Sequence, residues 1–149
     1  LYQSNDLAQV DFSTYTSALA NSLFHSYGTD RSRIALDIGM EAHTLDINTA
    51  IPCGLIMNEM ISNALKYAFP GGREGTITVK MRREGEKYHL DVIDDGVGMP
   101  PHGQGFRKGS LGMQLIDRLV AQINGTLVHV GPPGTAYNIT FPAIGTNGR

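Results

Sequence analysis

Four side chains in one predicted helix, Glu59, Asn63, Lys66 and Tyr67, follow the i, i+3 and i+4 spacings that make helical neighbours. At about 100° per residue they fall within an arc of roughly 100°, opposite an apolar face of Met57, Ile61, Ala64, Leu65 and Ala68. Leu55, Ile56 and Met60 border the stripe, so its polar groups stand between apolar side chains, as in a pocket lining rather than a charged belt. Each offers a distinct chemistry. The Asn63 amide oxygen is a neutral, hard ligand suited to one position of a hydrated Mg²⁺. Glu59, one turn earlier, can accept a proton or orient a nucleophile. Lys66 supplies a point charge for phosphate, and Tyr67 a ring for stacking on a base. Taken singly, plainer readings remain open: a surface amide, a solvated lysine, a core tyrosine. Asn58 points away from the stripe and takes a structural role.

A second constellation lies at 92–100, Val-Ile-Asp-Asp-Gly-Val-Gly-Met-Pro. A carboxylate at a strand end, followed by two glycines, lets a flat ligand approach the backbone while Asp94 accepts hydrogen bonds from an amine such as that of adenine. An ordinary Asp-Gly turn accounts for Asp95-Gly96 but not for Gly98. Farther on, Gly103, Gly105 and Gly109 precede Ser110-Leu111-Gly112-Met113 at a predicted helix start. Free N–H groups, the positive end of the helix dipole and the lack of side chains suit that place to an anion. Arg107 and Lys108 add charge; a flexible loop with solvated cations is the plainer alternative.

Other chemistries find no support. Lys108 comes before Gly109 rather than after it, so no P-loop is present, and Pro100-Pro101 prevent the helix that a dinucleotide-binding turn needs. The five histidines have no partners at metal-ligand spacing, which argues against zinc, and no serine lies in a nucleophile elbow. The single Cys53 cannot form an internal bridge and reads as a small buried apolar residue.

The elements that must position these groups follow from periodicity. Residues 11–27 form an amphipathic helix carrying Tyr15, Ala18, Leu19, Ser22 and Phe24, capped by Asp11 or Ser13 and stopped at Gly28. Strands are predicted at 33–40 and 44–47. The helix bearing the stripe is capped by Asn48 or Thr49, takes Pro52 in its first turn and runs to Phe69 before Pro70-Gly71-Gly72. Alternating Ile77, Val79, Met81 and Tyr88, Leu90, Val92 around Gly85 make a hairpin. A long loop over 96–109 has the length of a functional loop. A helix capped by Ser110 runs to about Asn124, and strands close the chain at 126–130 and 135–141.

With 149 residues, one domain over 1–149 is expected, with 1–10 a lead-in and 145–149 a tail, large enough to need no disulfide or metal staple. The net charge of −2 and the absence of a basic run argue against nucleic acid. Apolar segments fall short of the ~18 residues of a membrane helix and no signal peptide is visible, so this segment is expected to be soluble. Glycine makes up 18 of 149 residues, above the usual ~7%, and its clustering at 96–112 is what carries meaning.

Taken in order, Asn-Glu-Met-Ile-Ser-Asn-Ala-Leu-Lys-Tyr-Ala-Phe at 58–69, Asp-Asp-Gly-Val-Gly-Met at 94–99, Gly-Ser-Leu-Gly-Met-Gln-Leu-Ile at 109–116 and Gly-Thr-Ala-Tyr at 134–137 resemble the ATP-binding catalytic domain of sensor histidine kinases. They are similar to its N box, its two glycine boxes and its last adenine-side element, and the likeness spans about 48–142. The lead-in at 50–56 and the short Ser-Leu-Gly-Met form resemble the subgroup whose dimerisation domain is of the second, less common type. Asp95 stands where the family often has Asn, the second glycine box is shortened, and only Phe106 is available for a phenylalanine box.

The resemblance implies a Bergerat fold: an α/β two-layer sandwich with a mixed, mostly antiparallel sheet and helices on one face, ATP lying between the helices and a lid. It implies ATP and Mg²⁺ as cofactors. Asn63 would bind Mg²⁺, Glu59 would take the base-like catalytic place, and Lys66 would meet phosphate. Tyr67 would contact the adenine and Asp94 its amine. Gly96, Gly98 and Met99 belong to the glycine turn that admits the base, and Thr135 would support it. Gly109, Leu111 and Gly112 would lie at the phosphates. Implied partners are a histidine-bearing dimerisation domain upstream in the same protein, dimeric at full length, and a response regulator, with the domain cytoplasmic and the parent protein either soluble or membrane-attached. A serine kinase of the anti-sigma-factor kind and a nucleotide-sensing module like those of gyrases or mismatch-repair ATPases share the fold and are the alternatives.

Overall fold

The computed structural model describes residues 9–98 and 111–143, with the backbone alone for Leu111. Two aspartates start the first two helices. Strands β1 (Gln9–Asp11) and β3 (Thr44–Asp46) pair antiparallel as a small ribbon, and each leads directly into a helix. Asp11 caps α1 (Phe12–Ser26) by accepting the Thr14 N–H at 3.3 Å, and Asp46 caps α2 (Ile47–Tyr67) by accepting the Asn48 N–H at 3.0 Å. The predicted caps Asn48 and Thr49 are therefore inside α2, which begins earlier than the sequence pattern suggests. Pro52 consequently sits in the second turn rather than the first, where its missing N–H leaves the Asn48 carbonyl without its helical partner.

The main sheet has the order β2-β4-β5-β7-β6, with β2 (Ile34–Met40), β4 (Gly75–Glu84), β5 (Lys87–Asp94), β6 (Thr126–Val130) and β7 (Thr135–Pro142). Only β2 and β4 run parallel; the other neighbours are antiparallel. The parallel pair is joined by a long crossover containing α2, as parallel connections require. Strands β4 and β5 form the predicted hairpin, with Glu84 opposite Lys87 across Gly85 and Glu86.

Period-two alternation sends Ile77, Val79, Met81, Leu90, Val92, Ile139 and Phe141 to one face, where all are buried. The helices cover that face: α2 packs between α1 and α3 (Leu111–Gln122) and lies against β5, and α3 also reaches β6. The expected two-layer α/β sandwich with a mixed, mostly antiparallel sheet is thus the observed one.

The buried stripe of α1 is Phe12, Thr16, Ala20 and Phe24, whereas the predicted Ala18 and Ser22 are exposed. The cause is tertiary. Thr16 turns inward because its hydroxyl meets the Met57 sulfur at 3.8 Å across the α1–α2 contact, which rotates the helix relative to its apolar periodicity. Cys53 is fully buried as expected, and burial pushes its thiol up to about 12. Among the described residues, no helix is long and apolar enough to cross a membrane.

Asp46→Ala is expected to destabilise the domain by about 1 kcal/mol through loss of the α2 cap. Asn48→Ala and Thr49→Ala should change stability by no more than about 0.5 kcal/mol, as surface substitutions do. Urea unfolding of the three variants checks the order; an Asn48 effect larger than that of Asp46 would contradict the observed helix start.

Candidate functional site

The inward alternation of β5 ends on a carboxylate. After Leu90 and Val92, the next residue facing the helices is Asp94, only 8% exposed. Its sheet neighbours are Ile77 on β4 and Thr135 on β7. A carboxylate placed there needs donors, and two backbone groups provide them: the Gly96 N–H donates to Oδ1 at 2.9 Å, and the Thr135 N–H also contributes. Burial nevertheless dominates and raises the Asp94 pKa above the ordinary carboxylate value. The nearby Asp95 charge adds to the rise, while the two N–H groups oppose it.

Asp94 opens into a cleft of about 250 Å³ between the C-terminal half of α2 and the ends of β5 and β7. Met60, Asn63, Ala64, Tyr67 and Ala68 line it from the helix; Asp94, Gly98, Thr135 and Tyr137 line it from the sheet side. Asn63, Tyr67, Asp94, Gly98 and Thr135 are therefore brought together as the sequence suggested. Asn63 is 7% exposed, and its amide Nδ2 is buried without a hydrogen-bond partner. An unpaired buried donor costs roughly 1–3 kcal/mol, a cost that a polar ligand in the cleft would relieve. No group of three acidic, histidine or cysteine side chains suited to a metal occurs among the described residues. The donor set thus fits a divalent cation carried in by phosphates and waters, with one amide ligand, rather than a cation held by protein alone.

Several predicted residues take other places. Lys66 is exposed in the last turn of α2 and does not line the cleft; its charge there complements the negative end of the helix dipole. Glu59 is half-buried and also absent from the lining, although its charge is felt at the Tyr137 hydroxyl. Ala64, assigned to the core face, lines the cleft instead, because Asn63 is drawn down into the helix–sheet boundary beside it. Met99 and Gly109 lie outside the described residues. Leu111 begins α3, and Gly112 follows in its first turn.

The glycine turn is built differently from the expectation that Gly96 simply leaves room for a ligand. A Cβ at Gly96 would run into the backbone carbonyl of Ala68, whose oxygen also accepts the Val97 N–H at 2.9 Å. Gly96 therefore lets the strand end lie against the end of α2. Gly98, at φ +84°, does line the cleft, and a Cβ there would press on the Gly134 carbonyl and Pro132. Asp95 is a local clamp: its carboxylate accepts the Thr76 N–H at 2.8 Å, and its carbonyl accepts from Arg73 at 3.2 Å.

Sequence reasoning missed Tyr137 as a site residue. It is 3% exposed and stacks on His129 with ring centroids 4.7 Å apart. Burial, then the Asp94 and Glu59 charges, push its hydroxyl up to about 12. The available signal was its position two residues after Thr135, on the same face of the same strand.

Residues 48–144 match the family described as histidine kinase-, DNA gyrase B-, and HSP90-like ATPase. Blue-light-activated histidine kinase 2 of Erythrobacter litoralis is 30% identical over 154 residues, covering 95% of this chain and 43% of that protein. Sensor histidine kinase PdtaS of Mycobacterium tuberculosis is 35% identical over 88 residues, covering 56% of this chain and 17% of that protein. The solved histidine kinase domain of the Erythrobacter litoralis EL346 blue-light activated kinase superposes with a TM-score of 0.81 at 27% identity, covering 90% of this chain and 62% of that one. The chain thus spans less than half the length of the curated relatives it matches. With the family match covering residues 48–144 and a relative 30% identical across 95% of its length, the chain belongs to the histidine kinase-, DNA gyrase B- and HSP90-like ATPase family.

Proposed function

We propose that this chain is the catalytic domain of a sensor histidine kinase, binding ATP with Mg²⁺ in the cleft between α2 and the β5–β7 end of the sheet. The γ-phosphoryl group would go to a histidine on a dimerisation domain elsewhere in the full-length protein, and from there to a response regulator. The observation that carries the reading is the pairing of two buried polar side chains across one cleft: the Asp94 carboxylate and the Asn63 amide with its unpartnered Nδ2. Similarity to a histidine kinase over 95% of the chain favours histidine over serine as acceptor and phosphoryl transfer over nucleotide sensing.

Each residue has a role that follows from its place. The Asp94 carboxylate accepts from the adenine amine, and its backbone donors hold it in register. Gly98 and Thr135 shape the wall beside the base, and Tyr67, at the cleft mouth, offers its ring. Asn63 takes one position on the cation that neutralises phosphate charge. Lys66 extends from the rim toward the phosphates, and Glu59 orients the incoming imidazole. Gly109, Leu111 and Gly112 present backbone N–H groups from the start of α3 to the phosphate tail. Catalysis here rests on positioning and charge neutralisation rather than covalent chemistry by the protein.

Calorimetric titration with a non-hydrolysable ATP analogue, with and without Mg²⁺, tests the reading, and added dimerisation domain should then become labelled on histidine from ATP. No heat of binding under either condition would overturn it. Asn63→Ala is expected to abolish the Mg²⁺-dependent part of binding while costing the ligand-free domain no more than about 1 kcal/mol, because the amide it removes is incompletely paired. Equal Mg²⁺ dependence in both proteins would reject the assignment.

Asp94→Asn is expected to weaken ATP-analogue binding roughly 10- to 100-fold, the worth of a hydrogen bond to a charged group, and to erase preference over the GTP analogue. The pH dependence has a definite sign. Because the folded-state pKa of Asp94 is raised, the native state binds its proton more tightly than the unfolded chain does. Asp94 therefore lowers stability as pH rises from 3.8 through that raised value, and adenine affinity falls as pH drops through it. Comparing wild type and Asp94→Asn by thermal melts and titrations across the acid range should show both slopes flattened in the variant; identical slopes would refute the role.

A further inference from the structure

The helix-facing residues of β7 change character along the strand: Thr135 and Tyr137 at the cleft end, then Ile139 and Phe141 at the far end. On β5 the change comes one residue pair sooner, since Asp94 is opposite Thr135 but Val92 is opposite Tyr137. Tyr137 is thus a polar group one step deeper than the Asp94 pair, in a row otherwise apolar. The core elsewhere uses bare rings, Phe12, Phe24 and Phe141, where only packing is required. Burying a phenol instead is favourable only if its hydroxyl has polar company. That company is the cleft: Tyr137 lines it, and its hydroxyl feels the Asp94 and Glu59 charges. His129, directly opposite on β6, stacks on the ring at 4.7 Å and 20°, fixing its plane from behind.

We propose that Tyr137 is a specificity-determining residue of the cleft, its hydroxyl meeting an acceptor ring nitrogen of the bound purine, directly or through a water, while Asp94 meets the amine. The inference rests on the nucleotide reading given above. The two groups are complementary: a carboxylate can only accept, and the hydroxyl stays protonated, hence able to donate, throughout the neutral range. A base with a donor on one edge and acceptors on the others is then recognised by two contacts of opposite sense, and a site with both rejects bases that invert the pattern more strongly than either alone.

The test is Tyr137→Phe, which keeps the ring and its stack on His129 and removes only the oxygen. Binding of the ATP analogue, measured by calorimetry with Mg²⁺, is expected to weaken roughly 5- to 10-fold, the worth of one neutral hydrogen bond. Preference over the GTP analogue should shrink, and the thermal midpoint should stay within a few degrees of wild type. The 1-, 3- and 7-deaza analogues of ATP locate the contact: one of them should bind the wild type less well than ATP does, and bind Tyr137→Phe as well as ATP does. Unchanged affinity and selectivity in Tyr137→Phe would overturn the proposal while leaving the nucleotide reading in place; no binding by the wild type would overturn both. If the variant does not fold, the deaza series on the wild type decides, since equal binding of all three analogues leaves no ring-nitrogen contact for the hydroxyl to make.

Discussion

The architecture turns on one constraint: a carboxylate buried at the end of a central strand. Desolvation makes the ionised form of Asp94 costly, and the chain compensates only in part, with N–H donors from Gly96 and Thr135. Both donors require the backbone at the ends of β5 and β7 to hold a particular course. The glycines at 96 and 98 make that course sterically possible, by letting the strand end rest against Ala68 and pass beneath Gly134. A chain that gave up the carboxylate could use an ordinary turn there. That it keeps both the charge and the constrained backbone is the mark of a site held ready for a ligand with a donor.

Helix α2 is the other half of the same arrangement. Its inner face supplies much of the core through Ile56, Met57 and Ile61, so its position is set by packing. Asn63 shares that helix and is therefore held as rigidly as the core itself. The Arg73 and Arg33 guanidinium groups tie its end to the sheet: Arg33 donates to the carbonyls of Phe69, at 3.3 Å, and Arg73, at 2.6 Å, and Arg73 reaches the Asp95 carbonyl. The amide and the carboxylate are thus mounted on separate elements that are fastened together just beyond the cleft. The incompletely paired amide and the partly compensated carboxylate both work against stability of the empty domain, as is usual where binding rather than folding has selected the groups.

Much of this was legible in the primary structure. Strand alternation identified the buried rows of β4, β5 and β7, because period two leaves no ambiguity about faces once one row is apolar. Asn63, Tyr67, Asp94, Gly98 and Thr135 were singled out correctly as neighbours in space, since residue type at fixed helical and strand spacing constrains direction as well as position. Less was legible where a residue's duty depended on what lies across from it. Thr16 turned inward toward Met57, Lys66 stayed at the helix end outside the cleft, and Gly96 yielded to Ala68 rather than to a ligand.

Local patterns thus determined the element types, the two-layer architecture and the stripe of Asn63 opposite the Asp94 turn, because periodicity and turn chemistry act over a few neighbouring residues. Only the tertiary structure decided how deeply Asn63 sits, that Asp46 rather than Asn48 starts its helix, and that Tyr137 joins the cleft wall. Burial, donor supply and electrostatic company are properties of surfaces meeting across long sequence separations, and no single segment carries them.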